Sequence, residues 1–218
     1  MDVEKIRRFA RVMTLDRDSS YGYEHLRKVY VNSMSICSNL CVGGYELPVD
    51  TLKWVTLVAW LHDVADHKYD RDGKLAEKAK EFIRELDSEN ADHLWNCIEC
   101  VSFSKEKKEG ARYYENILPP KFVKVRNIVS DADKLEALGV IGLERCDEYT
   151  RHAADEKNEK LTELDVIERI MIHCKEKLFI LATEYMRTEP GSKMAMKRDS
   201  EMKKWLERRL TESYIFLD

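Results

Sequence analysis

Proline and glycine are scarce in this chain, with 4 and 8 among 218 residues. Turn-rich β architectures depend on both, so the shortage disfavours a sandwich or barrel and favours helices. Long hydrophobic runs are also lacking. The longest nearly apolar stretch, Trp54 to Leu61, falls far short of the ~20 residues that span a bilayer. The charged segment from Met1 to Asp16 has no apolar core of the secretory kind, so a soluble, cytoplasmic protein without membrane association is expected. An excess of positive charge is missing as well. A formal charge of −4 gives no global attraction for nucleic acid, and no nucleic-acid partner is expected. The basic stretch from Lys193 to Arg209 is interrupted by Asp199, Glu201 and Glu207 and reads as the solvated face of a helix. No Gly-rich phosphate loop is present, which excludes nucleotide binding of the P-loop type.

Six cysteines are present, and in this compartment thiols stay reduced. The pairs Cys37/Cys41 and Cys97/Cys100 have spacings that invite a four-thiolate zinc site. Both lie in strongly helical stretches without the glycine-rich knuckles of such sites, so they are expected to be buried small hydrophobes.

Apolar spacing is helical almost throughout. Ile6, Phe9, Ala10 and Met13 mark a first amphipathic helix. Leu26, Val29, Ile36 and Leu40 mark a second, ending before Gly43-Gly44. Asp50 is the expected N-cap of a third, from Thr51 to about Asp63, apolar on nearly all sides and therefore central. Helices follow over 75–86 and 92–103, then a charged loop from Lys105 to Gly110. Pro119-Pro120 opens a long helix whose buried side is Val125, Ile128, Val129, Ala132, Leu135 and Leu138. One further helix is expected over 161–186, a break at Pro190-Gly191, and a last helix to the C-terminus. The chain is thus read as all-α: one irregular helical bundle over 1–218, with no strand and no repeat.

The chemistry concentrates where the apolar third helix turns polar, at Leu61-His62-Asp63-Val64-Ala65-Asp66-His67-Lys68. Polar groups at the end of a central helix must be paired, hydrated or coordinated. Adjacent helical residues point about 100° apart, but at a fraying helix end they can converge on one ion. Matching donors lie elsewhere. His25 stands in the first turns of the second helix, and Asp131 and Asp133 interrupt the apolar helix after Pro120. The two aspartates flank opposite edges of that helix's apolar stripe, so periodicity does not choose between them. Two imidazoles and two carboxylates suit Mn²⁺, Fe²⁺, Co²⁺, Ni²⁺ or Mg²⁺. Four protein donors on a six-coordinate ion leave room for water and a phosphate oxygen.

In order, Ser20-x-Gly22-x-x-His25-x-x-Lys28-Val29, Leu61-His62-Asp63-Val64-Ala65-Asp66-x-Lys68 and Asp131-Ala132-Asp133-Lys134-Leu135-Glu136-Ala137-Leu138-Gly139 resemble the HD-domain superfamily of metal-dependent phosphohydrolases. The similarity is greatest to small stand-alone bacterial-type members, some of which are nucleoside triphosphate pyrophosphohydrolases. It covers residues 20 to 145, the expected metal-site core, and little of the C-terminal helices over 161–218.

The resemblance implies a single divalent cation, Mn²⁺ by preference, held by His25, His62, Asp63 and Asp133, with Asp131 supporting or capping. It assigns Asp66 to activation of the attacking water. Lys28 and Lys68 become candidate contacts to a substrate phosphate, with Lys105, Arg112, Lys134 and Arg145 as weaker ones. Members with two metals carry two more histidines between the HD pair and the last Asp. Here His67 is one turn too close and His93 lies on a separate helix, so a mononuclear site is expected; His93, His152 and His173 are read as structural or surface groups. The family's His-Asp pair before the first metal His is replaced by Tyr21-Gly22. The implied partner is a small phosphorylated compound, first a nucleoside triphosphate cleaved to monophosphate and pyrophosphate. The alternatives are a nucleoside monophosphate phosphatase and a catalytically idle nucleotide-binding module. The sequence leaves oligomeric state open.

Overall fold

The computed structural model describes residues 2–17 and 22–215, and every regular element among them is helical. The all-α expectation therefore holds. The motif residues Ser20 and Tyr21 lie outside the described residues. No helix among the described residues is long and apolar enough to cross a membrane. The chain packs as two compact units, Met1–Asp133 and Lys134–Asp218.

The first unit begins with α1 (Val3–Met13), whose N-terminus is capped by the Asp2 carboxylate accepting from the amides of Glu4 and Lys5. Helices α2 (Tyr23–Val42) and α3 (Val49–Leu61) follow and pack on each other. The expected centrality of α3 is plain: from Trp54 to Leu61 every side chain is buried, and α1, α2 and α5 (Ala91–Glu99) all lie against it. Its start differs from expectation. Pro48 takes the N-cap position at φ −54°, and Asp50 sits in the first turn instead, 3.0 Å from the Lys53 ammonium. Asp50 thus favours the helix through its charge near the N-terminus rather than by capping.

Helix α4 (Lys74–Leu86) packs on α5. The helix expected over 92–103 is in fact two. Helix α5 stops at Glu99, and Ser102 caps α6 (Phe103–Glu109) by accepting from the Lys105 amide at 3.4 Å. The charged loop expected from Lys105 to Gly110 is therefore mostly helix. Its physical cause is Glu106, a charged residue that is fully buried. A 3₁₀ turn (Tyr113–Asn116) leads to α7 (Pro120–Ala137), which does start at the second proline. Arg126 of α7 meets Glu106 at 2.7 Å, both side chains wholly out of solvent. Its Nε donates to the Cys100 carbonyl at 2.7 Å, and the Tyr114 ring lies 3.7 Å from the guanidinium. Burying two charges is tolerated only with such complete pairing, so one ion pair ties α6 and the 3₁₀ turn to α7.

In the second unit, Gly139 at φ +94° ends α7 and starts α8 (Val140–Glu156), an element with no counterpart in the expected set. A Cβ at Gly142 would stand 2.1 Å from the Ala137 carbonyl oxygen, so this helix start requires glycine. Thr162 and Asp165 form a reciprocal cap on α9 (Glu163–His173). The single helix expected over 161–186 is interrupted: a π-helical turn (Cys174–Leu178) joins α9 to α10 (Phe179–Glu184). The break expected at Pro190-Gly191 falls earlier, after Glu184, and both residues lie in the first turn of α11 (Glu189–Ile215), where proline is tolerated.

The cysteines form no disulfide. Burial pushes the Cys37 and Cys174 thiols up to about 12, as befits inert small hydrophobes. Cys41 departs from that expectation because it is exposed.

Candidate metal centre

Among the described residues, one group of His, Cys, Asp and Glu side chains has the spacing to hold a metal ion: His25, His62 and Asp63, with donor atoms all within 4.8 Å of one another. His25 stands in the first turn of α2, and His62 is the residue that closes α3. Two aromatic contacts hold these helices in register. Trp60 on α3 stacks between Tyr23 and Tyr30 of α2, with ring centroids 5.4 and 5.3 Å away. His25 and His62 each lie two residues beyond a member of that stack.

His25 Nε2 is 3.3 Å from His62 Nε2 and 3.3 Å from Asp63 Oδ2. Asp133 Oδ1, from α7, lies 3.5 Å from His25 Nε2 and 3.8 Å from His62 Nε2. Asn32 of α2 donates to the Ala132 carbonyl at 3.2 Å, joining the two helices beside Asp133. Asp131 is fully buried, whereas the Asp133 side chain keeps 27% exposure and faces the imidazoles. The structure thus brings Asp133 to the two histidines.

A divalent ion fits this arrangement. Donors bound about 2.1 Å from one ion are separated by roughly 3 Å or a little more, close to the distances above. The histidine tautomer also fits. His62 Nδ1 lies 3.0 Å from the Ala59 carbonyl, an acceptor only, so Nδ1 carries the proton and the neutral ring presents a bare Nε2 to the centre. Two imidazoles and two carboxylates gathered in this way are the donor set that a divalent cation takes.

Protonation responds to the same crowding. Burial tends to raise the Asp63 carboxyl, but the His62 charge, the hydrogen bond from His25 and the Arg17 charge outweigh it and hold Asp63 far below the usual carboxylate range. Burial works to lower His62, and Asp63 and Asp133 overcome it, leaving the imidazole raised. Without a metal, protons are the cations that this centre attracts.

The other nominated residues lie around it. Asp66 is in the turn after α3, partly buried, and its Oδ1 accepts from the Lys68 amide at 2.9 Å. Lys28, one turn beyond His25, and Lys68 are both exposed. Lys105 and Arg112 pair with Glu99 and Glu115 at 3.5 and 3.4 Å. Within the second unit, Arg145 pairs with Glu136 at 2.8 Å and Lys134 is buried. His67 is exposed, His93 stacks on Phe122 at 4.9 Å and His152 pairs with Glu156 at 3.8 Å. Sequence reasoning missed Arg17, which donates to the carbonyls of both Asp63 (2.6 Å) and Val64. Nothing in the sequence pairs an arginine with distant backbone carbonyls, so no pattern could have found it.

No protein-family model matches the chain, and no curated protein matches it in sequence. Solved structures do match in fold. A Lactobacillus plantarum protein superposes with a TM-score of 0.67 at 22% identity, covering 96% of this chain and 95% of that one. The crystal structure of Bacillus subtilis YpgQ in complex with ADP has a TM-score of 0.63 at 17% identity, over 96% of this chain and 94% of that one. An HD-superfamily hydrolase from Bacillus thuringiensis has a TM-score of 0.66 at 22% identity, over 96% of this chain and 95% of that one. The chain therefore shares the all-α fold of these proteins along nearly its whole length.

Proposed function

We propose that this chain is a metal-dependent phosphohydrolase that cleaves a nucleoside triphosphate to the monophosphate and pyrophosphate. The observation that carries the reading is the convergence of His25, His62 and Asp63, with donor atoms 3.3 to 3.7 Å apart and Asp133 Oδ1 3.5 and 3.8 Å from the two imidazoles. A bound divalent ion, Mn²⁺ in this reading, would polarise a phosphoryl oxygen and lower the pKa of water. The chain's own residues do the rest. His25, His62, Asp63 and Asp133 fix the ion. Asp66 accepts a proton as water attacks the α-phosphorus and the bond to the β-phosphate oxygen breaks, releasing pyrophosphate. Lys28 and Lys68 offset charge on the phosphate oxygens, since cations placed there favour the transition state.

The fold supports a small phosphorylated ligand because one structural neighbour, YpgQ, binds ADP. A cytoplasmic setting belongs to the same reading. The test is to purify the wild type and Asp63→Ala, measure bound metal, and screen nucleotides with Mn²⁺ while separating phosphate from pyrophosphate release. Metal-dependent pyrophosphate release by the wild type alone is the expected result. Equal activity in both proteins would sink the reading, and phosphate release from monophosphates would replace the substrate assignment.

A further inference from the structure

His62 and Asp63 are sequence neighbours, and in a regular helix their side chains would diverge by about 100°. They address one centre because α3 stops at Leu61 and the chain continues in tight turns, with Val64 N donating to Leu61 O at 3.0 Å and Asp66 N donating to Asp63 O at 3.1 Å. Such an end leaves carbonyls without helical partners and frays readily. Here the Val64 carbonyl, and the Asp63 carbonyl that also accepts from Asp66 N, both receive a donor from a single side chain. Arg17 Nη1 donates to Asp63 O at 2.6 Å and its Nη2 donates to Val64 O, across 46 and 47 residues of sequence. The guanidinium also lies 4.4 Å over the Tyr69 ring, so it reaches the turn that carries Asp66 and Lys68.

We infer that Arg17 is a positioning residue for the metal centre: its two-pronged grip on consecutive carbonyls holds the end of α3 in the one shape that lets His62 and Asp63 serve the same ion. A planar fork is required. Lysine has a single ammonium and cannot hold two carbonyls in fixed geometry. The positive charge also complements the carbonyl end of α3. Arg17 lies four residues beyond α1, so the same contact ties the end of that helix to the segment that carries Asp63. This inference rests on the metal-centre reading above.

The test measures Mn²⁺ binding to metal-free protein by calorimetry, for the wild type, Arg17→Ala and Arg17→Lys, with helicity and Tm followed by circular dichroism. Both variants are expected to bind Mn²⁺ about 10- to 100-fold more weakly, the range seen when groups that orient a ligand are removed. Added guanidinium should restore part of the affinity of Arg17→Ala, whereas methylammonium should not. General loss of structure would not be rescued by one cation and not the other. Arg17→Lys keeps the charge and most of the stem, so it reports even if the alanine variant folds poorly. Wild-type affinity in Arg17→Lys overturns the inference and leaves the metal centre standing. Failure of the wild type itself to bind Mn²⁺ removes both.

Discussion

Two charged assemblies inside the first unit differ in how their charges are met. Arg126 and Glu106 close on themselves: one cation, one anion, a carbonyl and an aromatic face, with no exposure. His25, His62, Asp63 and Asp133 gather two imidazoles and two carboxylates, and the two aspartates keep 24% and 27% exposure. The first assembly is complete and fixes α6 and α7. The second sets two carboxylates against two imidazoles and stays open to solvent, the condition expected of a centre built to take a cation. Charge balance, more than burial, separates a fastener from a site.

The largest expected effect is on that open assembly. Asp63→Ala removes a carboxylate donor and should reduce Mn²⁺ affinity by more than the ~100-fold typical of losing a supporting group. Metal content after dialysis and pyrophosphate release both check it. Retained stoichiometric Mn²⁺ would break the contrast drawn above, because the centre would then not need its acceptors. Asp66→Asn separates ion holding from proton transfer. It should lower kcat by about 10²- to 10⁴-fold while Mn²⁺ affinity stays at the wild-type value; a matched fall in affinity would place Asp66 among the ligands.

The closed assembly should respond in stability and not in metal binding. Glu106→Ala leaves the Arg126 guanidinium buried without its carboxylate, at a cost of about 3–5 kcal/mol. Urea unfolding measures it. Replacing both residues with apolar side chains of similar volume should recover most of the loss, because the desolvation cost disappears with the charges. If Glu106→Ala instead weakens Mn²⁺ binding in protein that remains folded, the two assemblies are coupled and the division between fastener and site fails.

The open assembly was more legible than the closed one. His62-Asp63 stands out because polarity appears abruptly after an apolar run, and a histidine and an aspartate with matching chemistry lie on two other helices. The two aspartates on α7 were less clear: both interrupt one apolar helix, and only packing shows that Asp131 is buried while Asp133 faces His25 and His62. The Lys105 to Gly110 segment looked like a loop because its charges suggest solvent. That Glu106 is internal depends on Arg126, twenty residues away, and no local pattern announces it. Helix α8 was hidden for another reason. Gly139 and Gly142 bracket its start and imitate a turn, whereas Gly142 is there for a close approach to the Ala137 carbonyl. Main-chain contacts such as those of Arg17 leave no trace in residue type at all.

The smallest effect is on pH. His62 is raised above the ordinary value of about 6.5 because Asp63 and Asp133 overcome the opposing effect of burial. Its proton therefore stabilises the metal-free fold fully below the unfolded value of about 6.5, and this is lost as pH rises through the folded value. Asp63 has the opposite sign, but its stabilisation is lost only in strong acid, so between pH 5 and pH 9 it is constant. A metal needs the bare His62 Nε2 and must displace that proton. Mn²⁺ affinity should then fall about tenfold per pH unit below the His62 titration if one proton is released. The metal-free protein should lose stability over the same span in which the Mn²⁺-loaded protein gains it. Thermal unfolding with and without Mn²⁺ across that range checks the crossing, and parallel curves would show that proton and metal do not compete for His62.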